Sequence, residues 1–146
     1  MHGRDVLYIV EERAPHRPTL VTDVGVRLPA HLTASGRAML AALPREQVRA
    51  LYPDAAAFAE RTGRGPRRPG ELREVLRSVR AAGFASEDGE VTLGLRSVGV
   101  AVRDHVGWPV AAIAVTYADY RAVDPAALAA RVEPVARELA RRLGGR

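Results

Sequence analysis

Strict alternation dominates the stretch from Gly94 to Ala118, GLRSVGVAVRDHVGWPVAAIAVTYA. Two β-rich runs, Leu95–Arg103 and Trp108–Tyr117, flank Asp104-His105-Val106-Gly107. That layout predicts a β-hairpin with Gly107 at the corner position needing positive φ. Successive strand side chains face opposite ways. One face therefore collects Val98, Val100 and Val102 with Ala111, Ile113 and Val115. The other collects Ser97, Gly99 and Ala101 with Val110, Ala112, Ala114 and Thr116. Neither face is charged over its middle, so the hairpin is expected to be central and covered on both sides. The bulky face suits a packed helix. The small, hydroxyl-bearing face leaves either room for a small molecule or close access for a second helical layer, and the pattern alone does not choose between them.

Elsewhere Val6–Glu11 (VLYIVE) alternates as a strand, and Thr19–Thr22 reads as a second one between Pro18 and Asp23. Pro29 holds the chain extended before a helix that runs to Leu43, capped by Thr33 or Ser35. Ala34-Ser35-Gly36 puts only small side chains at that helix start. The free N–H groups there offer a seat for a carboxylate; the alternative is a tight helix–sheet contact that needs Gly36. Pro44 is placed at the first position of a helix over Arg45–Leu51. Pro53–Glu60 is a short helical piece with Phe58 inward, and Arg61–Gly70 is a loop. Glu71–Ala82 is amphipathic through Leu72, Val75, Leu76 and Val79 and stops at Gly83. Phe84–Ser86 is a short strand entering the acidic turn Glu87-Asp88-Gly89-Glu90. Asp124-Pro125 opens a last helix to Leu143, with Leu128, Val132, Val135, Ala136, Leu139 and Leu143 on one face and an expected kink at Pro134.

Composition narrows the classes. The chain has 146 residues, 47% hydrophobic and 27% charged, which fits one globular domain with a single good core. No apolar run approaches the roughly 18 residues of a membrane span, and no secretory region follows Met1–Arg4. The expectation is a soluble, cytoplasmic protein without a membrane partner. The absence of cysteine excludes a disulfide scaffold and a thiol nucleophile and removes the usual structural zinc ligands. The net charge is +5, but every basic residue is Arg, and the arginines are interleaved with acids. This looks like a compositional bias and is weak ground for direct nucleic-acid contact. The one concentration, Arg61, Arg64, Arg67 and Arg68, reads as a solvated loop that could also hold a phosphate or a partner's acids.

Catalytic chemistry finds little support. Of His2, His16, His31 and His105, only His31 has a structured setting, and without ligand spacing around it a hydrogen-bonding role is expected rather than metal ligation. Ser35 does not sit in a nucleophile elbow, and no phosphate-loop or dinucleotide fingerprint occurs. No enzyme, metal or cofactor is expected.

The run LPAHLTASGRAMLAALP, then ELREVLRSVRAAGF, the turn EDGE, the hairpin and the closing helix stand in the order found in IclR-type bacterial transcriptional regulators. From about Asp5 to Gly144 the chain resembles their C-terminal effector-binding domain. The block P-x-H-x-T-A-x-G-[KR]-A-x-L-A within Leu28–Ala41 is its most specific part. The resemblance implies an α/β (α+β), GAF-like domain with a central antiparallel sheet, helices on one face and a ligand pocket on the other. It implies a sensor of a small organic acid that assembles as a dimer or tetramer and modulates DNA binding by its parent protein. The family's winged helix-turn-helix domain is not in residues 1–146, so DNA contact is expected only through that missing N-terminal part.

By the same resemblance, Ala34 and Ser35 match positions whose backbone meets the effector's carboxylate, Glu87 faces the pocket, and Leu20 is an apolar wall. Ser97 stands where many members carry a cysteine, and Ala114 and Thr116 where many carry serines. Ala114 loses one hydroxyl, and Tyr117 replaces a usual glycine, which suits an aromatic or bulkier acid. The alternative is a self-association or partner-binding module whose vestigial pocket is filled by Tyr117 or Tyr120. The sensor reading requires a hollow between the sheet and the first helix start, with Ser97 and Thr116 facing it.

Overall fold

The computed structural model describes residues 1–16, 20 and 23–144. The predicted hairpin is there as β4 (Leu95–Arg103) and β5 (Pro109–Ala118), joined at Gly107, whose φ of 85° favours glycine. Asp104 closes the corner: its Oδ1 accepts from the backbone N–H of Val106 at 3.0 Å and of Trp108 at 2.8 Å. β3 (Ala85–Asp88) pairs antiparallel with the other edge of β4, giving the order β3-β4-β5. Across the hairpin, Ser97 stands opposite Thr116, Gly99 opposite Ala114, and Val98 opposite Val115. Both faces thus have the composition read from the alternation. β4 alone is central, however; β5 has no outer partner strand among the described residues and is largely half-buried.

Each face carries a helix. On the branched face, α4 (Pro125–Arg142) packs Ala129, Val132 and Ala136 against Val98, Val100 and Val102. Asp124 caps it by accepting from Ala126 N–H, and the helix continues through Pro134. Val135 and Leu143, expected on its buried face, are instead 57% and 58% exposed. They flank the stripe rather than lie on it, because Ala129, Val132 and Ala136 carry the four- and three-residue steps.

The small face is not left open, as a sheet with helices on one side alone would be. α1 (Ala34–Ala42) lies on it, with α3 (Pro69–Ala82) packed outside α1. Thr33 is the N-cap, accepting from Gly36 N–H at 3.0 Å, so Ser35 belongs to the first turn. α2 (Arg45–Leu51) follows with Pro44 as its N-cap, one place earlier than expected, and the Pro53–Glu60 piece shrinks to a 3-10 turn at Ala55–Ala57. Phe58 does turn inward, against His31 and Tyr52.

The N-terminal strand is shorter than its pattern. β1 spans Asp5–Leu7 and pairs with β2 (Arg27–Pro29); beyond it only the Tyr8–Val26 and Gly25–Tyr8 backbone bonds continue the ladder. The expected strand at Thr19–Thr22 falls outside the described residues except for Leu20, which is in no strand.

Candidate functional site

Polar groups gather where the small face of the sheet meets the start of α1. The Ser97 hydroxyl donates to Glu87 Oε1 at 2.9 Å and lies 2.8 Å from Thr116 Oγ1. A hydroxyl carries one proton. With Ser97 donating to Glu87, Thr116 is the donor in the second bond. From α1, Ser35 Oγ lies 3.3 Å from the Tyr8 hydroxyl, which comes from the segment after β1. The Glu87 charge contributes to the environment of Tyr8, so the two hydrogen-bonded groups are electrostatic neighbours.

Between them the layers touch. A Cβ placed on Gly99 would stand 2.6 Å from the carbonyl carbon and oxygen of Ala34 and 2.9 Å from Ser35 N. Gly99 is thus the residue that admits α1 to the sheet. Gly36, the expected agent of that contact, faces the other way: its missing Cβ makes room for the Ala30 backbone at 2.3 Å. Close helix–sheet packing and a polar cluster therefore coexist on this face, the packing at Gly99 and the cluster around Ser97.

Glu87 is 5% exposed. Burial pushes its carboxyl above the ordinary value; the bonds from Ser97 and from the Glu90 backbone N–H pull it back, and the Glu90 charge raises it again. The Tyr8 phenol is likewise raised, first by burial. Glu87 and Asp88 belong to β3 rather than to the expected turn. This strand end, and the turn after it at Gly89 and Glu90, are held from behind by Arg37 of α1, only 3% exposed. Arg37 donates to Glu90 from both terminal nitrogens at 3.1 and 2.8 Å, to Ser86 O at 2.9 Å and, through Nε, to His31 O at 2.8 Å. From outside, Thr62 Oγ1 donates to Gly89 O at 2.6 Å. The arginine-rich loop is solvent-exposed, as expected, with its arginines in surface ion pairs: Arg64 with Asp88, Arg67 with Glu60 and Arg68 with Glu71.

Of the seven residues singled out, Ser35, Glu87, Ser97 and Thr116 join this cluster, Ala114 lies on the same face beside Gly99, and Ala34 supplies the backbone beneath it. Leu20 is half-buried. Tyr8 and Arg37 were missed. Tyr8 shares a strand face with Val6, a signal for inwardness, while nothing local marks Arg37 as buried. Tyr117 does not line the cluster: it alternates with Thr116 and packs with the α4-side core, and Tyr120 is 81% exposed. The aromatic ring at the site is Tyr8 instead.

His31 is a buried hydrogen-bonding residue, its Nε2 2.9 Å from Ala59 O and its ring edge-on to Tyr52 and Phe58. Burial lowers its pKa. Among the described residues, no three His, Asp or Glu side chains are grouped to hold a metal ion, and no helix is long and apolar enough to cross a membrane. Two open clefts lie away from the polar cluster, and neither occupies the expected hollow between the sheet and the start of α1, where the α1 backbone is in contact at Gly99. One of about 390 Å³ lies by Met39, Leu51 and Trp108, and one of about 480 Å³ by Arg80, Phe84 and Ala136.

The family model for the C-terminal region of the bacterial transcriptional regulator IclR matches residues 1–144. This chain belongs to that family. The Pca regulon regulatory protein of Pseudomonas putida is 37% identical over 80% of the chain and 40% of its own length. The glycerol operon regulatory protein of Streptomyces coelicolor is 30% identical over 99% of the chain and 57% of its own length. The chain thus spans about half the length of these curated relatives. Among solved structures, the Agrobacterium tumefaciens repressor BlcR superimposes with a TM-score of 0.88 at 31% identity, covering 100% of this chain and 58% of that one. The inducer-binding domain of the PobR transcription factor from Acinetobacter, a double mutant in complex with 3-hydroxybenzoic acid, matches with a TM-score of 0.74 at 25% identity. That match covers 98% of this chain and 83% of that one.

Proposed function

We propose that residues 1–146 form the effector-binding and oligomerisation part of an IclR-type transcriptional regulator. The domain takes up a small organic acid with an aromatic body, and the bound state alters DNA binding by a winged helix-turn-helix module elsewhere in the regulator. The observation that carries this reading is a pair of polar groups flanking the contact of α1 with Gly99: Tyr8 with Ser35 on one side, and Ser97 with Glu87 and Thr116 on the other. Four hydroxyls and one carboxyl supply directional partners for a carboxylate and a ring hydroxyl, and the Tyr8 ring offers an apolar surface beside them. The inducer-binding relative holding an aromatic acid supports the same ligand class. The plugged-pocket alternative needs Tyr117 or Tyr120 in the cluster, and neither is there. For assembly, the support is the outer edge of β5, which has no partner strand among the described residues, with exposed Trp108 just before it and exposed Val110 within it.

Thermal unfolding with a panel of acids tests the ligand class: benzoate and 3-hydroxybenzoate against acetate and pyruvate. An acid present at a hundred times its Kd adds about 2.7 kcal/mol, a rise in Tm of roughly 5–10 °C for a domain of this size. The aromatic acids are expected to produce it. Stabilisation by the short aliphatic acids alone would overturn the aromatic preference, and stabilisation by none would overturn the sensor reading.

A further inference from the structure

The cluster sets a problem for the ligand just proposed. The ligand is an anion, and the ionisable acid within the cluster is Glu87, itself an anion in its ordinary state. Among the described residues, the arginines near Glu87 are already engaged with other partners. Arg37 on α1 is fully engaged with Glu90, Ser86 and His31. On the loop before α3, Arg64 is turned to Asp88, and on β4 Arg96 pairs with Asp88 at 3.2 Å. The remaining titratable groups that act on Glu87 or feel its charge are the phenols of Tyr8 and Tyr117 and the carboxylate of Glu90, which opposes a second charge. Two carboxylates brought together beside the buried Glu87 side chain cannot both stay ionised cheaply, and one of them takes a proton.

Resting on the proposed ligand reading, we infer that acid binding in this domain is proton-coupled: Glu87 takes up one proton from solvent as a carboxylate enters, and its neutral carboxyl then donates to the ligand. The geometry gives the exchange a route. Glu87 Oε1 accepts from Ser97, which accepts from Thr116. Once Glu87 carries a proton, its O–H becomes a donor, and the Ser97 and Thr116 hydroxyls are released to turn toward the ligand. Burial already biases Glu87 toward its neutral form before any ligand arrives. The proton is supplied by the buffer, and no covalent bond to carbon changes. The domain would therefore read acid concentration and pH together.

The test is titration calorimetry of the whole chain with 3-hydroxybenzoate, using acetate and pyruvate as the aliphatic probes, at pH 6, 7 and 8. Each pH is run in two buffers of different ionisation heat. The expected result is a buffer-dependent heat equal to uptake of about one proton, with affinity falling up to about tenfold per pH unit above the Glu87 pKa. The Glu87→Gln variant keeps a neutral donor of the same shape. It should bind with no proton uptake and a flat pH profile, which separates Glu87 from the exposed histidines. Binding by the native chain with no buffer-dependent heat and no pH slope overturns the inference while leaving the ligand reading in place. Proton uptake that persists in Glu87→Gln overturns it too. No binding by any of the probes overturns both.

Discussion

The two faces of β4 are made from the same nine residues and do opposite work. Val98, Val100 and Val102 pack branched side chains under α4. Ser97 and Gly99, each one residue away, leave space: Gly99 lets the α1 backbone approach to contact distance, and Ser97 anchors a chain of hydroxyls. A period-two alternation can thus give one strand an apolar packing face and a face of small and hydroxyl-bearing residues. The second face is not simply loose. Its polar groups are held by Arg37, a buried cation tied to the end of β3 that carries Glu87 and to the turn after it.

The contrast can be broken most severely at that tie. Glu90→Ala leaves Arg37 buried without its carboxylate, and loss of one partner of such a pair costs about 3 kcal/mol. Urea unfolding should show that loss, together with weaker acid binding as the strand end holding Glu87 relaxes. Next in size, Gly99→Val drives side-chain carbons into the Ala34 carbonyl, and overpacking against backbone costs about 2–3 kcal/mol. It should also separate α1 from the sheet and abolish ligand-induced stabilisation. On the opposite face, Val98→Ala opens a small cavity under α4 at a cost of about 2 kcal/mol. That variant should leave ligand affinity unchanged. If Val98→Ala weakened binding as much as Gly99→Val, the division of labour between the faces would be wrong.

The smallest effects are in pH dependence, where two buried groups have opposite signs. The Glu87 pKa is raised in the folded state, so its stabilising contribution is complete below the unfolded carboxylate value and is lost as pH rises through the folded one. The His31 pKa is lowered, so its contribution is present above the ordinary value of 6.5 and is lost as pH falls below it. Chemical unfolding of the native chain and Glu87→Gln between pH 4 and 8 should show the variant gaining relative stability as pH rises. A difference that stays constant would remove Glu87 from the list of buried acids.

Most of the fold could be read from local pattern, because its long elements carry their own signals. The hairpin alternates, α3 repeats Leu72, Leu76 and Val79 on one stripe, and α4 is announced by Asp124-Pro125. What failed is what depends on distant partners. VLYIVE alternates as far as Glu11, yet β1 ends at Leu7 because β2 is only three residues long, and Ile9 is left 70% exposed. The candidate site divides the same way. Ser97 and Thr116 were visible from strand parity, and the register puts them opposite each other. Tyr8 reaches Ser35 across 27 positions, and Arg37 reaches Glu90 across 53, separations that no periodicity encodes. Tyr117 shows the converse: its place in the sequence suggested a pocket lining, but parity turns it toward α4.

The most direct measurement is a crystal structure of the chain grown with 3-hydroxybenzoate. The account predicts the carboxylate within hydrogen-bond distance of Ser97, Thr116 or Glu87, with the ring against Tyr8. Acid bound only in the cleft by Trp108 or the cleft by Arg80, with the Ser97–Glu87 and Tyr8–Ser35 bonds intact, would contradict it.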